Sequence, residues 1–192
     1  MIEGVTQVVG LLLAAGAGTR YGGPKALARD DDGTSWLLRS VVALTPCAQI
    51  VVVLGAEAER AAALLPMSVR RVRADDWAEG MGASLRVGLG ALDAGVHDAA
   101  LVSLVDLPDV DAAVVARVLG SAVGPDALAR ASYDGVPGHP VLIGSDHWPG
   151  VIAAATGDRG ARDYLMAGEV TLVECGDLAT GADVDAQPEP ND

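Results

Sequence analysis

The feature that most constrains this chain is a repeated alternation of two kinds of segment. Short apolar runs, "TQVVGLLLA" (6–14), "QIVVVLG" (49–55), "VRRVRA" (69–74) and "AALVSLV" (99–105), recur along it. Between and after them lie alanine- and leucine-rich stretches of helical spacing: 36–45, 56–65, 83–94 and 111–123. A nearly continuous apolar run suits a strand covered on both faces, where neither face meets water. Intervening helices then supply the cover through right-handed crossovers. The expectation is an α/β fold of three layers, α/β/α, around a mostly parallel sheet. The stretch "LARASYDGVPGHPVLIG" (128–144) breaks the pattern, because Asp134-Gly135 between two strand-like runs is a hairpin signal. It reads as a small antiparallel insertion lying over one end of the sheet. "DDDG" (30–33) reads as a second, solvated turn, since the bidentate glutamate that a calcium loop requires does not follow.

The 192 residues suit one domain, 1–192, with an acidic tail fraying from about 186. A formal net charge of −13 excludes a nucleic-acid partner, which needs a basic face. The start "MIEGVTQVVGLLLAAG" has no basic leader and is too short in its apolar part for a membrane span, so a cytoplasmic protein with no membrane partner is expected. Cys47 and Cys175 belong to no C-x-x-C or Cys/His cluster and read as small buried hydrophobes. His97 and His147 read as surface residues.

The stretch "LLLAAGAGTRYGGPKAL" (11–27) carries Lys25, the one lysine of the chain. It follows the first strand, and ligands bind at the carboxyl ends of strands in open α/β sheets. A dinucleotide loop built on Gly16, Gly18 and Gly22 would want an acid about 20 residues further on, at the end of the next strand; that strand ends near Leu54, too far away. A P-loop fails on Pro24, which lacks an N–H for the phosphate cradle, and on Ala26, which offers no hydroxyl to Mg²⁺. The third reading is a loop that wraps a nucleoside triphosphate. Backbone from the strand end at Leu13 and Ala14 through Ala15, Gly16 and Gly18 would approach the nucleotide closely, and Arg20 and Lys25 would converge on phosphate oxygens. The plain alternative, a tight turn with solvated Arg20 and Lys25, leaves the bunching of glycines around one lysine without a reason. Asp106 ends the 99–105 run with a proline two residues on, a stiffly held carboxylate suited to Mg²⁺. Its other reading is a helix cap, for which Asp109 and Asp111 are better placed.

These residues carry a family resemblance. "LLAAGAGTRYGGPKAL" resembles the L-A-A-G-x-[GS]-x-R-M-G-x-x-K-x-L signature of nucleotidyltransferases with a GT-A-like, Rossmann-related fold, with Tyr21 in place of the usual methionine. "WAEGMGASLRVGL" (77–89), "LVSLVDLPDV" (101–110), "GHPVLIG" (138–144) and "GDRGARDYL" (157–165) are similar to segments of the molybdenum cofactor cytidylyltransferases. "DVDAQPE" (183–189) is similar to their closing D-I-D-T-P-E-D, departing at Ala186 and Gln187.

The resemblance implies a Mg²⁺-dependent nucleotidyltransferase that moves CMP from CTP to a phosphorylated pterin-type acceptor such as molybdopterin, with a molybdoenzyme as client. It implies Arg20, Lys25 and Asp106 as catalytic residues, and Asp106 and Asp183 as metal ligands. Gly82 and Ser84 would read the base, although Ser84 also reads as a helix N-cap. His139, Asp158, Arg159 and Arg162 would meet the acceptor; a satisfied structural histidine and a capped helix with solvated arginines are the plainer readings there. Three other functions stay open: a transferase of the same fold using GTP or another acceptor, an NAD(P)H-dependent oxidoreductase of the quinone-reductase type, and a binding protein or chaperone that kept the pocket and lost turnover. The altered 186–190 stretch leaves room for the last, although Lys25 and Asp106 are intact.

Overall fold

The computed structural model describes residues 7–121 and 124–186, so the tail expected to fray lies almost wholly outside the described residues. Within these residues seven strands form one sheet: β1 Val8–Ala14, β2 Gln49–Leu54, β3 Arg70–Arg73, β4 Ala99–Leu104, β5 Leu128–Tyr133, β6 Val136–Gly144 and β7 Thr171–Glu174. Their spatial order is β3-β2-β1-β4-β6-β5-β7. The β3-β2-β1-β4 half is parallel throughout, and β7 is parallel to β5. β6 runs against both of its neighbours, β4 and β5. Among the described residues six α-helices accompany the strands: α1 Trp36–Ala43, α2 Ala58–Ala62, α3 Met81–Gly90, α4 Ala112–Leu119, α5 Trp148–Ala154 and α6 Arg162–Ala167.

Strand periodicity explains the three layers. Every residue of β1 is buried, and its side chains alternate between two cores. Leu12 and Ala14 pack with α1 and α4 on one face. Val9, Leu11 and Leu13 pack with α3, α5 and α6 on the other. The expected three-layer α/β architecture with a mostly parallel sheet is therefore the observed one.

The hairpin is present, with Asp134 and Gly135 both at positive φ (51° and 78°), as a twisted two-residue turn demands. Its placement differs from expectation. Rather than covering one end, β6 pairs with β4 and extends the central sheet, so it supplies strands instead of a lid. β7 and α5 were not legible as separate elements. β7 is a four-residue edge strand whose exposed Thr171 and Leu172 give no apolar run. α5 begins with Trp-Pro-Gly, a weak helix former that is held by the buried Trp148 and Val151. The turn at 30–33 closes as expected: Gly33 N donates to Asp30 O at 2.9 Å and Arg29 bridges Ser35.

The two histidines read as surface residues are corrected. His97 is buried, with Nε2 3.0 Å from Gln49 Oε1 and Nδ1 3.2 Å from Asp93 O. His147 is half-buried between the Tyr164 hydroxyl at 2.9 Å and Asp126 O at 3.0 Å. Short-range sequence could not show this, because Gln49, Asp126 and Tyr164 lie 17 to 48 residues from the histidine each of them meets. Both cysteines are free and buried, and burial raises the Cys47 thiol to about 12.

Asp111 caps α4, its Oδ1 accepting from Ala113 N at 2.8 Å and Val114 N at 3.2 Å. Asp111→Ala is expected to cost about 1 kcal/mol of stability, read as a lower urea midpoint with an unchanged denaturant slope.

Candidate functional site

The chain leaves β1 to build β2 and β3 on one side, then returns to place β4 on the other. This reversal opens a crevice beyond the carboxyl ends of β1 and β4, where neither connecting segment covers the sheet. A cavity of about 560 Å³ occupies it. Residues 13–21 and Lys25 form one wall, the end of β4 with Asp106 forms the floor, and Trp77, Met81 and Ser84 face them.

The wall is held by local chemistry. Gly18 sits at φ +59°, and its carbonyl accepts from Gly22 N and Gly23 N at 2.9 and 3.1 Å. A Cβ there would lie 2.0 Å from Gly23 O, so only glycine lets the loop fold back on itself. The Tyr21 ring packs on Trp36 at 5.0 Å, and Trp36 Nε1 donates to Asp30 at 2.6 Å, tying the loop to α1. Pro24 then opens a short 3-10 turn, Lys25–Leu27, whose buried Ala26 anchors the lysine backbone. On the facing wall, Arg86 donates to Ala155 O at 2.9 Å and pairs with Asp76 and Glu79, holding the Trp77 segment beside α3.

Charge is concentrated between wall and floor. Lys25 Nζ lies 2.8 Å from Asp106 Oδ2, and these side chains are only 14% and 17% exposed. Asp185 approaches Lys25 at 3.6 Å and Arg20 at 3.4 Å. The other carboxylate oxygen of Asp106, Oδ1, is buried without a hydrogen-bond partner. An orphaned buried carboxylate oxygen is costly and marks a place for a cation or a donor. Asp183 lines the same cavity. No group of three His, Cys, Asp or Glu side chains converges as a metal cage among the described residues, so a hard divalent ion held here would complete its shell with ligand oxygens and water.

Most of the candidates named from the sequence come together. Leu13, Ala14, Ala15, Gly16 and Gly18 line the cavity with Arg20 and Lys25. So do Ser84, Asp106, Asp158 and Asp183. Ser84 is not the helix cap, since α3 starts three residues earlier with Gly80 as its cap residue. Gly82 is outside the lining: a Cβ there would press on the backbone of Ala155 and Thr156 at 2.8–2.9 Å, so it serves the packing of α3. His139, Arg159 and Arg162 are outside the lining too. Arg159 pairs with Asp163 at 3.1 Å, while Arg162 lies near the half-buried Arg130. Sequence reasoning missed Asp185 as a contact to the two cations, and Trp77 and Tyr21 as cavity walls. The signal was there for Asp185, because Asp-Val-Asp in extended chain puts both acids on one side.

His139 lies on β6, and its carbonyl accepts from the Tyr133 hydroxyl at 2.6 Å. Burial, then the Arg130 charge, lower its imidazole from 6.5 to about 4, opposed by Asp183. The ring is therefore neutral at pH 7. Between pH 6.5 and 4 the unfolded chain binds the extra proton, so this residue's contribution makes stability fall as pH drops through that window. His139→Gln should flatten the pH dependence of the melting temperature from pH 6.5 to 5, compared with the unsubstituted protein.

Residues 10–172 match the MobA-like NTP transferase domain model. Nicotine blue oxidoreductase of Paenarthrobacter nicotinovorans is 36% identical over 195 residues, covering 93% of this chain and 92% of that protein. Rv0371c of Mycobacterium tuberculosis H37Rv, solved in complex with manganese, is 26% identical with a TM-score of 0.74, covering 93% of this chain and 94% of that one. A nucleotidyl transferase from Methanothermobacter thermautotrophicus shares the fold at a TM-score of 0.78 and 22% identity, covering 94% of this chain and 92% of that one. With its switch-point crevice, its glycine loop and a family match over most of its length, the chain belongs to the MobA-like NTP transferase domain family.

Proposed function

We propose that this protein is a divalent-cation-dependent nucleotidyltransferase that transfers CMP from CTP to a phosphorylated, pterin-type acceptor and releases pyrophosphate. The observation that carries the reading is the pairing of Lys25 with Asp106 at the base of the crevice, where Asp106 keeps one buried oxygen without a partner. An acceptor phosphate oxygen forms the new bond to the α-phosphorus while the bond from that phosphorus to the bridging α–β oxygen breaks, and the electron pair leaves with pyrophosphate. The barrier to such a step is mostly charge repulsion and positioning.

The chain's own residues address both. Lys25 and Arg20 offset charge on the α-phosphate and the leaving group. The loop 15–18 admits the nucleotide backbone-close, and Ser84 and Trp77 face the base. Asp106 and Asp183, with Asp185 beside them, fit a Mg²⁺ or Mn²⁺ ion by donor type, and the orphaned Asp106 oxygen is the atom that such an ion would satisfy. When bound, the ion supplies Lewis-acid neutralisation of phosphate charge. The manganese complex of the M. tuberculosis relative supports a divalent cation in this family.

One observation favours a second reading, an NAD(P)H-dependent oxidoreductase: the name of the 36% identical relative. Against it, no α-helix opens directly after β1, since α1 begins only at Trp36, so the pyrophosphate of a dinucleotide lacks its usual helix N-terminus.

Thermal shift against CTP, GTP, ATP, NADH and NADPH, each with and without Mg²⁺, separates the readings. CTP at 100 times its Kd should add about 2.7 kcal/mol, or roughly 5–10 °C for a chain of this length, only when Mg²⁺ is present. Stabilisation by NADPH alone would overturn the transferase reading, and a larger shift with GTP would move the base assignment. In turnover, Lys25→Ala should lower pyrophosphate release by about 10²–10³-fold, the cost of losing one preorganised donor. Unchanged release would remove Lys25 from the chemistry.

A further inference from the structure

The described segment after β7 runs into the crevice, and it is anchored at several points. Thr180 donates through both its backbone N and its hydroxyl to Asp109 Oδ2, each at 2.6 Å. Gly181, at φ +65°, lies so close over the Tyr133 ring that a Cβ would fall 2.0 Å from Cε2. Val184 packs on the core and donates its N–H to the carbonyl of Asp106 at 3.1 Å. The backbone is thus fixed at both flanks, and it carries Asp183 and Asp185 into the cavity lining.

The two acids differ in what they touch. Asp185 reaches both cations of the glycine loop, Arg20 at 3.4 Å and Lys25 at 3.6 Å, while its side chain stays 60% exposed. Asp183 makes no ion pair with either among the described residues. A carboxylate of the chain therefore sits on the two cations that the nucleotide reading assigns to phosphate oxygens.

We infer that Asp185 is an internal stand-in for phosphate: it holds Arg20 and Lys25 in place in the free protein and must leave them before a polyphosphate binds. The inference rests on the nucleotide reading of this site. Three further carboxylates, Asp106, Asp158 and Asp183, share the cavity with it, so an incoming polyanion meets repulsion as well as competition. Asp106 and Asp183 could hold a divalent cation beside it, whose charge would offset the repulsion and offer the freed Asp185 carboxylate a partner. Anion and cation binding are then coupled, as any two ligands that favour the same rearranged state must be. Because the Val184 N–H holds the backbone, the swing needs only side-chain rotation at Asp185.

The test is calorimetric titration of inorganic tripolyphosphate and, separately, CTP into the unsubstituted protein, D185N and D183N, with and without Mg²⁺. One exposed ion pair, to Arg20, and one with a largely buried cation, Lys25, are at stake, so D185N should tighten metal-free tripolyphosphate about three- to tenfold. It should also shrink the enhancement by Mg²⁺, and raising the salt from 0.05 to 0.5 M should erode the difference. D183N removes the same charge from the cavity but no contact to Arg20 or Lys25, so its metal-free gain should be at most a third of that of D185N. Equal gains in the two variants would reduce the effect to the general field and overturn the stand-in. Equal metal-free affinity in D185N and the unsubstituted protein would overturn it as well. If tripolyphosphate binds as expected and CTP gains nothing over it, the stand-in holds and the nucleotide assignment fails. If neither binds to any variant, both fall.

Discussion

The Lys25–Asp106 ion pair is the contact on which the crevice depends. Its partners come from opposite sides of the switch point, one from the loop after β1 and one from the end of β4. At 14% and 17% exposure the pair lies in a medium where Coulomb attraction is stronger than in water, but where an unpaired charge is expensive. Each charge therefore requires the other. In a chain of net charge −13, Lys25 and Arg20 put two cations into a crevice that four aspartates also line, so positive charge is local there and not the sign of the whole site.

Other features of the site follow from keeping that pair in position. Gly18 closes the loop, Pro24 and the buried Ala26 fix the turn that carries Lys25, and the Tyr21–Trp36 contact fastens the loop to α1. On the floor, Val184 binds the Asp106 carbonyl, so the final described segment meets the central sheet at the same residue that faces the lysine. The consequence is a pocket whose cations are already balanced by carboxylates. Binding there is an exchange of partners, and its energetics turn on what replaces Asp185 and what satisfies the free oxygen of Asp106.

The family match and the 36% identical relative bear on different links of the argument. The model match and the fold place the chain among NTP transferase domains. The relative named as an oxidoreductase shows that sequences this similar carry a different activity name. Fold alone does not choose between them, since function resides in the site. The choice rests on the loop after β1 and on the carboxylates opposite it.

Much of this was legible in the linear sequence, and the reason is locality. Continuous apolar runs marked β1, β2 and β4 because burial on both faces leaves no room for polar alternation. Asp-Gly marked the hairpin because both turn residues need positive φ. The glycine loop, Lys25 and Asp106 were legible because a strand end, a stiff turn and a charge are local facts. Tertiary structure decided what depends on distant partners. It put β6 inside the sheet, buried His97 against Gln49, packed Gly82 of α3 against the backbone of Ala155 and Thr156, and set the burial and the Arg130 charge that lower the His139 imidazole. It also carried Asp185 across 160 residues of chain to Lys25. Apolar pattern and turn chemistry act over a few residues, whereas the pairing of charges is settled only once the sheet has closed around them.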